Sequence, residues 1–224
     1  MSGAWLARAV TPEGGSGAVS RALVREHRMT MTVDGAPYAA FVCSRALLPE
    51  LAAGRLLGDG RIRRAGDLRA VELSEDESVC AVVLREAPPP AAPAPIPWES
   101  EWIFAAARRF GQGTALYRAT ASVHLAYLYR GDDLLCLAED ISRACSMEKA
   151  LGLALLGGIP TEGCWLYLSC RINADMVRRA ANAGIALLAT KSTPTADAVE
   201  LARAMHLTLI CRAWPDGFEV YCEG

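Results

Sequence analysis

Apolar positions along the first third of the chain come in short runs rather than long stripes. Residues 29–33 and 38–42 are such runs, and Asp34-Gly35 between them tolerates the positive φ of a tight turn, so the pair reads as a β-hairpin. Leu47, Leu48, Leu51 and Ala52 then recur at helical spacing, which predicts a helix over 47–57. Residues 67–73 and 79–84 read as two more strands. Residues 1–20 are rich in Gly, Ser and Ala without a period and read as a flexible arm. Residues 21–86 are therefore expected to form a small, sheet-rich N-terminal α+β subdomain.

The strongest boundary is 87–97, which contains only Ala, Pro and one Ile. Such a segment has few backbone donors and favours an extended, semi-rigid linker. Beyond it the pattern changes. A helix over 98–110 carries Ile103, Ala106, Ala107 and Phe110 on one stripe. Strands at 123–129 and 134–138 follow, joined by a short turn. Next come a helix at 142–156, a strand at 165–168, a helix at 174–183 capped by Asn173 and stopped at Gly184, and a strand at 185–189. A helix capped by Thr193 or Thr195 ends near His206, and strands at 207–211 and 218–221 close the sheet. This alternation predicts an α/β domain over 98–224, with a mixed, largely parallel sheet between helices on both faces.

Composition narrows the functional classes. Hydrophobic residues make up 52% and charged residues 21%, so a packed core is expected. The net charge of -2 argues against a nucleic-acid binder, which needs a basic surface. No apolar run reaches bilayer length, and residues 1–19 lack the apolar core of a signal peptide. A cytoplasmic protein that meets neither membrane nor nucleic acid is the expectation. None of the eight cysteines stands in a C-x-x-C pair. Cys80, Cys136, Cys164 and Cys211 lie in or beside apolar runs and are expected as small core residues, with no structural disulfide.

In sheets of this kind ligands bind beyond the carboxyl ends of strands, where helices begin. Glu139, Asp140, Ser142 and Arg143 stand at one such place. Ser169, Cys170 and Arg171 stand at a second, and Thr190 to Thr195, including Lys191, Ser192 and Pro194, at a third. Three helix starts would offer unpaired N–H groups there, and Arg143, Lys149, Arg171 and Lys191 would add full charges. Taken singly, such hydroxyls cap helices and such arginines face water. Taken together they predict an anion pocket. A two-residue turn at Gly131-Asp132 would also set His124 opposite Glu139, raising the imidazole pKa.

These clusters carry a resemblance. Thr120-Ala121-Ser122-Val123-His124-Leu125-Ala126 is similar to the T-G-G-x-H-A segment of the FdhD/NarQ family. Glu139 to Lys149 resembles its E-D-V-G-R-H-N-A-x-D-K, Ser169-Cys170-Arg171 its S-G-R, and Thr193-Pro194-Thr195 its A-P-T. Arg212 and Phe218-Glu219-Val220-Tyr221 resemble its ending. Val33-Asp34-Gly35, Cys43-Ser44-Arg45 and Gly58-Asp59-Gly60 extend the likeness toward the N-terminus, so that it spans roughly 25–222.

The resemblance implies a cytidine-deaminase-like three-layer α/β/α domain with a smaller N-terminal subdomain, usually in a homodimer. It implies an accessory sulfurtransferase that takes persulfide sulfur from a cysteine desulfurase and passes it to the molybdenum or tungsten bis-molybdopterin guanine dinucleotide cofactor of a formate-dehydrogenase-type molybdoenzyme. Thr120, Ser122, His124, Glu139, Asp140, Arg143, Lys149, Ser169, Arg171, Ser192, Pro194 and Thr195 would bind that cofactor. Zinc is not expected, because the H-x-E and P-C-x-x-C ligands of zinc deaminases are missing.

The chain also departs from the family. The sulfur-carrying C-x-x-C belongs between the two halves, where 87–97 has no cysteine. Gly-Gly has become Ala121-Ser122, His-Asn has become Ala144-Cys145, and the glycine of S-G-R has become Cys170. If sulfur transfer persists, Cys145 and Cys170 are the candidate carriers, one in the first turn of a helix and one beside Arg171, settings that lower a thiol pKa. The alternative is a cofactor- or molybdoenzyme-binding paralogue that has lost sulfur transfer.

Overall fold

The computed structural model describes residues 3–86 and 89–224, so the first two residues of the 87–97 linker lie outside the described residues. Strands β1 (Gly3–Val10) and β2 (Ser16–Leu23) form an antiparallel ribbon. This corrects the irregular arm expected for 1–20. Residues 4–18 are all exposed, so neither strand needs the apolar alternation by which a half-buried strand is recognised.

The elements of residues 21–86 lie close to their expected positions. They comprise β3 (His27–Val33), β4 (Ala36–Cys43), α1 (Leu48–Gly58), β5 (Leu68–Leu73) and β6 (Val79–Leu84), with strand order β4-β3-β6-β5. Asp34 and Gly35 both take positive φ in the hairpin turn, as the dipeptide predicts. Met29, Met31, Val33, Phe41 and Cys43 are buried in one core cluster with the apolar residues of α1.

The second part begins with α2 (Ser100–Gln112) and α3 (Ala115–Thr120). It continues through β7 (His124–Arg130), β8 (Asp133–Asp140), α4 (Arg143–Leu156), β9 (Trp165–Leu168), α5 (Ala174–Asn182), β10 (Leu187–Thr190), α6 (Ala196–Ala204), β11 (Thr208–Trp214) and β12 (Gly217–Cys222). The sheet order is β12-β11-β10-β9-β7-β8. Only β9, β10 and β11 pair in parallel, and the hairpins at either side are antiparallel, so the sheet is mixed rather than largely parallel. One face buries Ile103, Ala106, Ala107 and Phe110 of α2. The other buries the inner stripes of α4, α5 and α6, giving the expected helix–sheet–helix layers. No helix among the described residues is long and apolar enough to cross a membrane.

The two parts meet where α1 crosses α4. A Cβ added to Gly54 would lie 1.7 Å from the Glu148 carbonyl oxygen, and one added to Gly152 would lie 1.8 Å from the Glu50 carbonyl oxygen. The contact is reciprocal: each helix sets a glycine against the other's backbone. Around it, Arg179 of α5 donates to Glu148 at 2.6 Å and lies 3.2 Å from Asp59, and Asn182 donates to the Gly58 carbonyl at 2.9 Å.

Alanine at either glycine should test this crossing by sign. Inside an unobstructed helix, Gly→Ala stabilises by about 1 kcal/mol. Here the methyl meets backbone that cannot rotate away, so Gly54→Ala and Gly152→Ala should each destabilise by about 3 kcal/mol in urea unfolding. A neutral or stabilising result would mean that the helices are farther apart.

Candidate functional site

The carboxyl ends of β8, β9, β10 and β11 and the amino end of β7 lie along one edge of the six-stranded sheet. α4, α5 and α6 start there, capped by Ser142, Asn173 and Thr195, whose side chains accept from Cys145 N, Met176 N and Ala198 N. Thr193, the other cap considered, lies before that helix. Strand and helix ends thus collect all three of the polar clusters found in the sequence.

The members of those clusters do different things. Asp140 is fully buried. Its Oδ1 accepts from Ser142 N at 2.7 Å, and its Oδ2 accepts from Ser44 N and Ser44 Oγ at 2.9 Å and from Lys149 Nζ. Lys149 spends its other donors on the Ser44 carbonyl and hydroxyl, both at 2.9 Å. Lys149 was expected to charge the pocket; with no exposed surface and a carboxylate partner, it offers nothing to a ligand. Glu139 is half-buried, accepts from Thr114 Oγ1 and lines a cleft of about 390 Å³ with Ser44, Arg45 and Leu116.

Ser169 Oγ accepts from Leu125 N at 2.8 Å and is turned inward. Thr120 and Ser122 close the end of α3. Thr120 donates to the Leu116 carbonyl and Ser122 to the Thr120 carbonyl, with Ala121 between them at φ 49°. That left-handed backbone suits the glycine of the related motif better than alanine. Pro194 bridges to Ile172, and Thr195 N donates to the Ile172 carbonyl at 2.9 Å. Ser192 N donates to Thr190 Oγ1, and its carbonyl accepts from Arg212 N. These bonds fix the loop after β10 against the ends of β9 and β11.

Arg143 and Arg171 are exposed and Lys191 is half-buried. None of these side chains has an acidic partner among the described residues. Uncommitted charge at the start of helices is the arrangement that binds anions. Lys191 sits in the loop cluster but was not among the residues singled out for the cofactor; its place beside Phe110 comes from a helix some 80 positions earlier, which spacing does not reveal.

His124 needs two corrections. It faces Asp140, because a bulge between Leu128 and Tyr129 sets Leu128 against Cys136 and Tyr129 against Leu134. The turn itself is the expected one, with Arg130 paired to Asp133, but the extra residue Leu135 slips the register by one. The imidazole pKa is also lowered rather than raised. Burial is the main cause, Arg143 and Lys191 add to it, and Asp140 opposes it.

The thiols are likewise not activated. Cys145 and Cys170 are buried, and desolvation pushes each up to about 12, against the Ser142 hydrogen bond at Cys145 and the Arg143 and Lys191 charges at Cys170. All eight cysteines are free; Cys136 and Cys222 are half-buried and the other six are buried. Of the expected core cysteines, Cys80, Cys164 and Cys211 are fully enclosed.

Fold and edge together define a mixed α/β protein with a cationic rim beyond its strand ends and no exposed thiol. Residues 81–224 match the model of the FdhD/NarQ family, and the chain belongs to that family. The sulfur carrier protein FdhD of Methanothermobacter thermautotrophicus is 24% identical over 224 residues, covering 91% of this chain and 90% of the relative. FdhD of Thermoplasma volcanium is 36% identical over 107 residues, or 47% of this chain and 38% of the relative. A crystal structure from Desulfotalea psychrophila, described as a formate dehydrogenase accessory protein, has the same fold. Its TM-score is 0.86 at 22% identity, covering 98% of this chain and 96% of that one.

Two outcomes are expected from this geometry. Asp140→Asn should strand the Lys149 charge and cost about 3–5 kcal/mol in urea unfolding, and Asp140→Asn with Lys149→Met should recover part of that loss. A single variant within about 0.5 kcal/mol of wild type would contradict the buried pair. Second, brief iodoacetamide treatment of the native protein at pH 8 should leave Cys145 and Cys170 unlabelled by mass spectrometry, while unfolding exposes all eight thiols. Fast native labelling of either would show an available thiolate.

Proposed function

We propose that this protein is an accessory factor for formate-dehydrogenase-type molybdoenzymes that binds the bis-molybdopterin guanine dinucleotide cofactor at the strand-end edge and carries no sulfur on a thiol of its own. The observation that supports binding is the set of unpaired cations, Arg143, Arg171 and Lys191, beside the starts of α4, α5 and α6. The cofactor's pyrophosphates are the groups such an edge suits: the guanidinium and ammonium groups meet their charge, and backbone N–H groups at the helix starts donate to their oxygens. The cofactor is cargo, and its metal chemistry belongs to the client enzyme. His124, neutral at physiological pH because its pKa is lowered, offers a hydrogen bond without adding charge.

The reading that no thiol relays sulfur is supported by the setting of the thiols. A persulfide carrier needs a reachable thiolate. Residues 87–97 hold no cysteine, and the thiols of the body are buried or half-buried. The homodimer implied by the family likeness is kept in this reading. Contact with a cysteine desulfurase is required only if a thiol carries sulfur.

GDP, a fragment of the cofactor, provides the test. It should bind wild type, and Arg171→Ala should weaken it about tenfold or more, since a charge-assisted hydrogen bond contributes roughly 1.5–3 kcal/mol. Equal affinities would count against the edge. Incubation with a cysteine desulfurase and cysteine, followed by persulfide mapping, should label no cysteine; label on Cys170 or Cys145 would restore the relay.

A further inference from the structure

The character of the strand-end edge changes from one side of the sheet to the other. β8 and β9 lead into Arg143 and Arg171, and β10 leads into Lys191, while β11 ends in Trp214. Trp214 is 45% exposed, although indoles of monomeric proteins are mostly covered. It is not loosely held. The Lys191 ammonium lies 5.7 Å from the Trp214 ring centroid and 4.5 Å from that of Phe110. Phe110 is buried and packs against Tyr117 and Tyr167 with centroids at 5.7 and 6.2 Å. The Tyr167 hydroxyl in turn donates to the carbonyl of Ala213, the residue before Trp214, at 2.8 Å. The exposed indole thus follows a residue tied to the core and lies across Lys191 from the buried aromatic cluster, and that lysine has no acidic partner among the described residues.

Spacing fits a nucleotide. Neighbouring strands are about 4.8 Å apart, so β9 and β11 run about 10 Å apart with β10 between them, and both Arg171 and Trp214 lie three residues beyond the level shared by Leu168 and Cys211. A nucleoside diphosphate places its planar ring at one end, its ribose in the middle and its phosphates at the other. Arg171 stands at the phosphate end, Lys191 in the middle and Trp214 at the ring end.

We propose that Trp214 is the stacking platform for the purine ring of the nucleotide held at this edge. The inference rests on the anion site proposed above and adds the residue that distinguishes a nucleotide from a bare pyrophosphate. A pre-positioned indole binds a ring with little ordering cost, and such stacking tolerates any base because every base has a π-face. Trp214 therefore supplies affinity for a ring and not a choice between guanine and adenine.

Calorimetric titration of the full chain with GDP, and separately with inorganic pyrophosphate, tests the platform in wild type, Trp214→Ala, Trp214→Phe and Arg171→Ala. Trp214→Ala should weaken GDP about tenfold and leave pyrophosphate unchanged, Trp214→Phe should keep most of the GDP affinity, and Arg171→Ala should weaken both ligands. Unchanged GDP binding by Trp214→Ala overturns the platform and leaves the anion site standing. Equal loss of GDP and pyrophosphate in that variant also overturns it, because the indole would then act only by holding Lys191. Wild type that binds neither ligand overturns the anion site and the platform together.

Discussion

The β8 side of the strand-end edge depends on one desolvated charge. Asp140 is sealed from water at the last position of β8, and an isolated carboxylate there would cost several kcal/mol. It is tolerable because Lys149 opposes it and Ser44 and the Ser142 amide complete its shell. The same bonds use up the ammonium: its three hydrogens go to Asp140, the Ser44 carbonyl and the Ser44 hydroxyl. Four pieces of chain are therefore tied at one point, namely the exit of β4, the end of β8, the cap of α4 and its second turn. Arg143 and Cys145 take their positions from that cap. The glycine crossing packs α1, which follows the β4 exit, directly against α4 and so draws the same two pieces of chain together.

That dependence also explains what sequence reading could reach. Strand β6 and strand β9 were legible to the residue, because each is a short apolar run bounded by polar or turn residues. The clustering of Ser142–Arg143, Ser169–Arg171 and Ser192–Thr195 was legible too, since a strand followed by a helix fixes where the junction lies. The role of each member was not. Ser44 and Asp140 are 96 positions apart, and nothing local marks Lys149 as a buried counterion rather than a free charge. The bulge at Leu135 has no glycine to announce it, yet it decides which carboxylate His124 faces. α3, six residues long, is too short for a helical period to declare itself. The β1–β2 ribbon has no buried face to pattern.

For the cysteines, the local argument had the right sign and the wrong size. A helix start does favour a thiolate, but by about 0.3–1 kcal/mol. Cys145 lies in the first turn of α4 with almost none of its surface exposed, and loss of water around a thiolate outweighs the dipole. Cys170 has two cations in its surroundings and is still driven up by burial. Replacing a small family residue with cysteine inside a packed junction fills space; it does not create a nucleophile.

The segment between the two parts bears on the same question. A sulfur-carrying loop has to extend from the body to meet a donor and then return. Here Arg63 Nη1 donates to the Pro89 carbonyl at 2.9 Å, Pro90 rests on Gly60, and Pro93 is buried. A proline-rich segment has little conformational freedom, and these contacts hold residues 89 and 90 against the segment that follows α1. Residues 87–97 hold no thiol, and the cations without acidic partners lie at the strand ends. The strand-end edge is held without this segment: Asp140 fixes its β8 side, and the Ser192 and Pro194 backbone contacts fix the loop after β10.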